Sequence, residues 1–258
     1  MSRYALVTGA SKGIGKSFAE ALAAKGYNLL LVARSEEQLK ELSHSISTQY
    51  RVKAAFLAVD LTEENAAEKV AEWCSSQTQE LEVLINNAGF GLFGLFENLS
   101  LQEQLNILSL NINTVVALTH LLLPELKKQT QAYVLNIAST AAYQAVPGLG
   151  VYSASKAFVL SFSRALRYEL RKSTVSVSCL CPGPTETGFA SRAGLDALAD
   201  LAEKFNASPE KVAKAGLKGM FARKAEIIPG ALNVLSAFGA THLPKSLIER
   251  IGASLYKL

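Results

Sequence analysis

Short apolar runs alternate with longer stretches whose hydrophobic positions recur every three or four residues, as far as residue 181. The runs at 4–8, 27–33, 52–59, 83–86, 132–138 and 175–181 predict strands. Helical spacing predicts helices over 14–25 (closed by Gly26), 36–48, 63–76, 101–129 and 152–171. A run such as Leu29-Leu30-Leu31-Val32 does not alternate polar with apolar, which fits a parallel strand buried on both faces. Regular strand–helix alternation implies βαβ units with right-handed crossovers. The predicted fold class is α/β, a doubly wound parallel sheet of Rossmann type, with ligands beyond the carboxyl ends of the strands.

Past Cys181 the pattern loosens. Residues 182–195 are turn-rich, helices are expected at 196–205 and 209–222, and 226–228 reads as a last strand. Two short helices should flank His242-Leu243-Pro244. We therefore expect one domain over 1–258, a substrate lid within 184–225 and a helical C-terminal tail over 229–258. No internal repeat or low-complexity tract interrupts it.

With 258 residues and 49% hydrophobic content, one domain has ample material for a core. The net charge is +4 and has no clustered source beyond Lys127-Lys128 and Arg171-Lys172, so a nucleic-acid partner is not expected. The longest apolar stretch, 105–123, carries Asn106, Asn111, Asn113 and His120. It reads as a buried helix rather than a membrane span. Cys74, Cys179 and Cys181 are too few, and too far from any histidine, for a structural zinc site. No metal is expected, and reduced thiols in a cytoplasmic protein are the simplest reading.

The turn Thr8-Gly9-Ala10-Ser11-Lys12-Gly13-Ile14-Gly15 joins the first strand to the first helix. Its glycines let backbone approach a pyrophosphate, and the helix N-terminus offers free N–H groups. A rival motif overlaps it. Gly15-Lys16-Ser17 resembles the end of a P-loop, and the run to Asp60 resembles the strand that would hold magnesium, but Ala10 stands where the first P-loop glycine belongs. From these two segments alone a nucleotide triphosphatase stays open. The second strand ends at Ala33-Arg34-Ser35 without a carboxylate. Arg34, assisted by Lys12, suits the 2′-phosphate of NADP(H), although Glu36 and Glu37 lie close by and Arg34 also reads as a plain surface residue.

Tyr152 and Lys156 are four residues apart, so on a helix they share a face. A cation beside a phenol favours phenolate and lowers its pKa. Tyr168 and Lys172 repeat the spacing about 160° further round the helix, so spacing alone leaves two candidate pairs.

Taken in order, these residues resemble the classical short-chain dehydrogenase/reductase family, in a bacterial branch of varied specificity. Thr8-Gly9 to Gly15, including Ser11, Lys12 and Ile14, is similar to its cofactor turn. Asp60-Leu61 resembles the adenine-contacting pair, and Asn86-Asn87-Ala88-Gly89 the motif ending the fourth strand. Asn111, Ser139 and the pair Tyr152–Lys156 match the catalytic set, with Tyr152 13 residues after Ser139. Pro182-Gly183, with Thr185 and Thr187, is similar to the nicotinamide-holding segment. Pro184 departs from the commonest choice and puts the substrate loop in question.

The resemblance implies hydride transfer between NADP(H) and a carbonyl or secondary alcohol. Tyr152 would donate the proton, Ser139 would orient the carbonyl oxygen, and Lys156 would tune Tyr152 and bind ribose. Asn111 would hold a water leading to Lys156. It also implies a homodimer or homotetramer built through the long helices. An apolar ketone or 3-oxoacyl-type substrate is expected in a pocket between 90–96, 140–150 and 184–221. Phe90, Leu92, Phe93, Phe96, Phe189, Phe205 and Phe221 are its candidate lining. A non-catalytic NADPH-binding protein is the remaining alternative.

Overall fold

The computed structural model describes residues 3–187, 193 and 207–255. The first half runs β1 (Tyr4–Thr8), α1 (Gly13–Ala23), β2 (Asn28–Ala33), α2 (Glu36–Tyr50), β3 (Ala54–Ala58), α3 (Ala66–Gln77) and β4 (Leu81–Asn86). Then come α4 (Leu101–Leu108), α5 (Thr114–Lys127), β5 (Ala132–Ile137), α6 (Gly150–Glu169) and β6 (Val175–Leu180). The chain continues through α7 (Pro209–Phe221), β7 (Glu226–Ile227), α8 (Ala231–His242) and α9 (Lys245–Leu255). The seven strands form one sheet in the order β3-β2-β1-β4-β5-β6-β7, and every pairing is parallel.

Burial on both faces explains the strand composition. In β2, Leu29 and Leu31 enter a core shared with α1, α2 and α7, while Leu30 and Val32 enter the opposite core under α3 and α5. Each such side chain contributes about 1.5–3 kcal/mol of burial. The order reverses beside β1, which pairs β2 on one side and β4 on the other. That divergence leaves a crevice at the carboxyl ends, where the candidate residues lie.

Three features depart from the sequence reading. The expected helix over 101–129 is broken by a π turn at Ser109–Asn113, where the Thr114 N–H reaches back to the Ser109 carbonyl. The Thr114 hydroxyl lies 2.9 Å from the Leu61 carbonyl and 3.1 Å from the Ser109 carbonyl, and can donate to either. This side-chain competition for helix carbonyls accompanies the wide turn.

The second departure is α7, which falls in the segment expected as a lid. Its residues Val212, Leu217 and Met220 are buried in the core beside α1, and a methyl on Gly216 would come within 2.9 Å of the Phe18 ring. This helix is part of the layer covering the sheet. The third is Phe221, expected in the substrate pocket. It stacks on Tyr27 and meets Tyr133 edge-on, beside the amino ends of β2 and β5 and away from the crevice. The expected helix at 196–205, with Phe189 and Phe205, lies outside the described residues.

By length and composition the helical run Leu101–Lys127 would suffice to cross a bilayer. Here Val115, Leu118, Leu122 and Leu126 pack it into the core.

Candidate active site

The glycine turn is built for close approach. Gly9 and Gly13 have φ of 64° and 55°, the left-handed region that disfavours side chains. A methyl on Gly9 would sit 2.8 Å from Asn87 Nδ2, and one on Gly15 would strike the Gly9 carbonyl. Asn87 Nδ2 donates to the carbonyls of Thr8 (2.9 Å) and Gly9 (3.2 Å). The backbone N–H groups of Asn87 and Ala88 donate to the Thr8 hydroxyl. The turn is thereby tied to the end of β4.

The start of α1 has no side-chain cap and no acidic residue in its first turn. Its N–H groups and positive dipole end remain available for an anion. Gly13 also faces Thr187, whose Cβ would lie 2.9 Å from a methyl placed there. The segment through Pro182, Gly183, Thr185 and Thr187 therefore crosses the glycine turn. Thr185 caps it locally by donating to the Gly183 carbonyl.

Arg34 follows β2 and Asp60 lies just past β3. Their side chains approach to 3.6 Å, and together they line a cleft of about 390 Å³ with Glu63 and Lys69. Lys12, expected to assist Arg34, is not among the walls; Lys69 is the second cation there. Burial pushes the Asp60 carboxyl up, but Thr62 (by N–H and hydroxyl) and Arg34 outweigh it and hold Asp60 below its ordinary range.

The same positions dispose of the triphosphatase. β3 is an edge strand separated from β1 by β2, Asp60 is committed to Thr62 and Arg34, and Lys16 faces Glu20 along α1. These parts do not converge on the glycine turn. The cradle instead fits a dinucleotide lying across it, with backbone where the glycines exclude a side chain and an uncapped helix behind.

At the centre of the crevice lies Lys156, only 5% exposed. Its Nζ donates to the Ile137 carbonyl at 2.9 Å and stands 5.7 Å from the Tyr152 ring centroid. Burial pulls its pKa down to about 8, against an opposing influence of Cys179 and Cys181. The Cys179 thiol is itself held well above its usual range by Cys181 and burial, so it stays neutral near pH 7 and burial dominates. Cys179 and Cys181 face each other at 3.9 Å between sulfurs, both free and buried.

Asn111 is fully buried in the π turn. Its Oδ1 accepts from Phe90 N–H at 3.1 Å, and its Nδ2 donates to the Phe90 carbonyl and to Ser155 Oγ, each at 3.0 Å. Both amide hydrogens are used within the fold, and the side chain braces the β4 loop against α6. A methyl on Gly89 would come within 3.0 Å of Asn111 Oδ1 and 3.2 Å of Lys156 Nζ. The loop backbone thus passes between the two.

Ser139 ends β5. Its Oγ accepts from Ala141 N–H at 3.1 Å and lies 3.5 Å from the Pro182 carbonyl. The short 3-10 turn Thr140–Tyr143 behind it is anchored to β7. Tyr143 donates to Glu226 Oε1 at 2.6 Å, and Arg164 holds Oε2 at 2.8 Å. Burial, then Cys181 and Glu226, push the Tyr143 phenol up, which keeps it a donor.

Of the two tyrosine–lysine pairs only the first lies here. Tyr168 is 68% exposed and stacks with Arg171, and Lys172 lies beyond the end of α6. Ser155 went unrecognised in the sequence, since a serine beside a lysine carries no signature of its own. A buried network through Asn86, Asn136, Ser163 and Thr119 was equally silent.

Fold and site together define an α/β protein with a glycine-turn cradle at the end of β1 and a lysine buried against a tyrosine ring in the same crevice. Residues 3–197 match the short chain dehydrogenase family, and the chain belongs to it. Very-long-chain 3-oxoacyl-CoA reductase-A of Danio rerio is 32% identical over 186 residues, covering 70% of this chain and 58% of that protein. Sulfoacetaldehyde reductase 2 of Chromohalobacter salexigens is 36% identical over 73% of this chain and 75% of its own length. A short-chain dehydrogenase from Sphingobium yanoikuyae, solved with NADPH, superposes at a TM-score of 0.82 with 28% identity, covering 98% of this chain and 93% of that one. The chain spans 55% to 59% of the length of four of the curated relatives it matches.

Proposed function

We propose that this protein is an NADP(H)-dependent oxidoreductase that interconverts an apolar carbonyl compound and its secondary alcohol. A nicotinamide cofactor, when bound, supplies or takes the hydride. Tyr152 gives its proton to the oxygen as the alcohol forms, and Ser139 orients that oxygen. Lys156, charged near neutral pH, lowers the cost of phenolate and hydrogen-bonds ribose hydroxyls. Asn111 fixes the Phe90 loop that forms the back of the site.

The observation that carries the reading is a lysine buried against the tyrosine ring. A lysine held at such cost in stability is best explained by chemistry at its partner. Preference for NADP(H) over NAD(H) rests on Arg34 at the end of β2, with no carboxylate ending that strand. The sequence relatives pull the substrate in two directions, a long acyl chain and a small sulfonated aldehyde. The apolar side chains Leu92, Leu99 and Val146 on the flanking loops favour the former. A 3-oxoacyl-type substrate belongs to this proposal, as do a homodimer or homotetramer, a cytoplasmic location, and the absence of nucleic-acid or membrane partners. Leu101, Leu105 and Phe158 expose apolar surface on α4 and α6, the face through which subunits would meet.

The test is a panel of carbonyl compounds followed by NADPH absorbance, with NADH in parallel. Tyr152→Phe should abolish turnover while NADPH binding stays nearly intact. Full turnover in that variant would remove Tyr152 as the proton donor, and equal rates with NADH would remove the Arg34 argument.

A further inference from the structure

Glu226 opens β7, the strand at one edge of the sheet, and its carboxylate is divided between two elements of the site. Oε1 accepts from the Tyr143 hydroxyl at 2.6 Å, and Oε2 accepts from Arg164 Nη1 at 2.8 Å. Tyr143 closes the 3-10 turn that begins just after Ser139. Arg164 lies on α6, about three turns beyond Tyr152. One carboxylate therefore joins the turn that carries the serine to the helix that carries the tyrosine.

Ser139 takes its orientation from that turn. Its Oγ accepts from Ala141 N–H at 3.1 Å, and its carbonyl from Ala142 N–H at 3.0 Å. The turn is held at its start by Thr140 N–H, which donates to the Pro182 carbonyl at 2.9 Å. At its far end the Tyr143 ring packs on the small cluster of Ala138, Val159, Cys179 and Cys181. Apolar packing is non-directional, so the hydroxyl bond to Glu226 is what fixes where that ring sits. Stability alone does not account for the other half. Arg164 is 64% exposed, and an ion pair so open to water contributes little to folding. What the pair supplies is a direction for the carboxylate, with each oxygen committed to one element.

We propose that Glu226 is a positioning residue, which sets the Ser139 hydroxyl against Tyr152 through Tyr143 on one side and Arg164 on the other. The two bonds act in series, so breaking either one releases the link. The inference rests on the carbonyl chemistry proposed above and adds to it three residues that act only through Ser139 and Tyr152.

Three variants test it: Tyr143→Phe, which keeps the ring and its packing, Arg164→Met and Glu226→Ala. Each should lower kcat for a reducible ketone about ten-fold, with the NADPH dissociation constant within about two-fold of wild type. Tyr143→Phe combined with Arg164→Met should be no slower than either alone. In a Ser139→Ala background, Tyr143→Phe should leave the residual kcat unchanged. A loss that multiplies in the double variant, or that persists without the Ser139 hydroxyl, is general loosening of the fold and overturns the proposal. A second readout needs no turnover. Exchange of the Ala141 amide hydrogen, followed by NMR, should speed up about ten-fold in Tyr143→Phe and in Glu226→Ala. If that amide responds while the wild type reduces no carbonyl compound, the carbonyl chemistry falls and the link through Glu226 stands. If ketones are reduced and Tyr143→Phe changes neither kcat nor exchange, the chemistry stands and the link falls.

Discussion

Replacing Lys156 with methionine should stabilise this protein at neutral pH while abolishing its activity, and the stabilisation should vanish in alkali. The folded chain holds Lys156 at about 8 against 10.5 for a free lysine. At about 1.4 kcal/mol per pH unit, that gap costs the native state about 3 kcal/mol when the amine is charged in both states. The group is buried, so solvent screening gives little relief. Methionine removes the cost, fills a similar volume and leaves the Ile137 carbonyl without its donor, a loss of about 1–2 kcal/mol. The net effect at pH 7 is a gain of about 1–2 kcal/mol.

The sign depends on pH. A base whose folded pKa lies below its unfolded value loses its proton first in the folded state. Stability of the wild type therefore rises as pH climbs from about 8 towards 10.5. By pH 10 the cost of Lys156 has shrunk to about 1 kcal/mol, and the lost hydrogen bond cancels or exceeds the benefit of methionine. Urea unfolding of wild type and variant at pH 7 and pH 10 reads this as a fall of about 2 kcal/mol in their difference. Making both comparisons in a Tyr152→Phe background removes the neighbouring phenol's own titration. A difference that stays flat across pH, or a variant already less stable at pH 7, would refute the claim that Lys156 is a strained buried cation.

Other expectations follow from single contacts. If the charged lysine holds ribose, NADPH affinity should weaken as pH rises through about 8, seen by fluorescence titration. Gly89→Ala forces a methyl between Asn111 and Lys156, at 3.0 and 3.2 Å, and should lower kcat/KM about ten-fold or more with a smaller change in melting temperature. Arg34→Ala should raise the NADPH dissociation constant about 10- to 100-fold and leave NADH within about two-fold. Asn136→Ala strands the Asn86 amide and Ser163, and should cost about 2–4 kcal/mol in urea unfolding with NADPH binding retained.

Most of the fold was legible because its signals are local. A strand such as β2 declares itself by an unbroken apolar run, and the seven strands fall within a few residues of their expected bounds. The glycine turn was legible because few arrangements need three glycines between a strand and a helix. The π turn at Ser109–Asn113 was not. It depends on Thr114 meeting the Leu61 carbonyl, a contact across 53 positions that no periodicity encodes. Phe221 misled for a similar reason. An aromatic after Cys181 reads as pocket lining until the sheet brings Tyr27 and Tyr133 to it.

Residues that a folding argument would reject from a core gather where the site is. Asn86, Asn111, Asn136, Ser155 and Lys156 are all buried, and each replaces an apolar side chain that would pack there without needing partners. Four of them bond to one another or to nearby hydroxyls and backbone, with Asn86 Oδ1 left as the one unpartnered atom among them. Among the described residues of this layer Lys156 alone carries a charge, and the single carbonyl of Ile137 does not neutralise it. The network therefore supports a group that remains strained, and it fixes that group against Tyr152 within a rigid sheet end. A surface lysine would hold its proton more easily but would be screened by water and free to turn away from the phenol. The instability of the buried position and its influence on Tyr152 have the same origin, the low local dielectric. A variant that relieves one should lose the other, so stabilising substitutions selected at Lys156 should be inactive as a class.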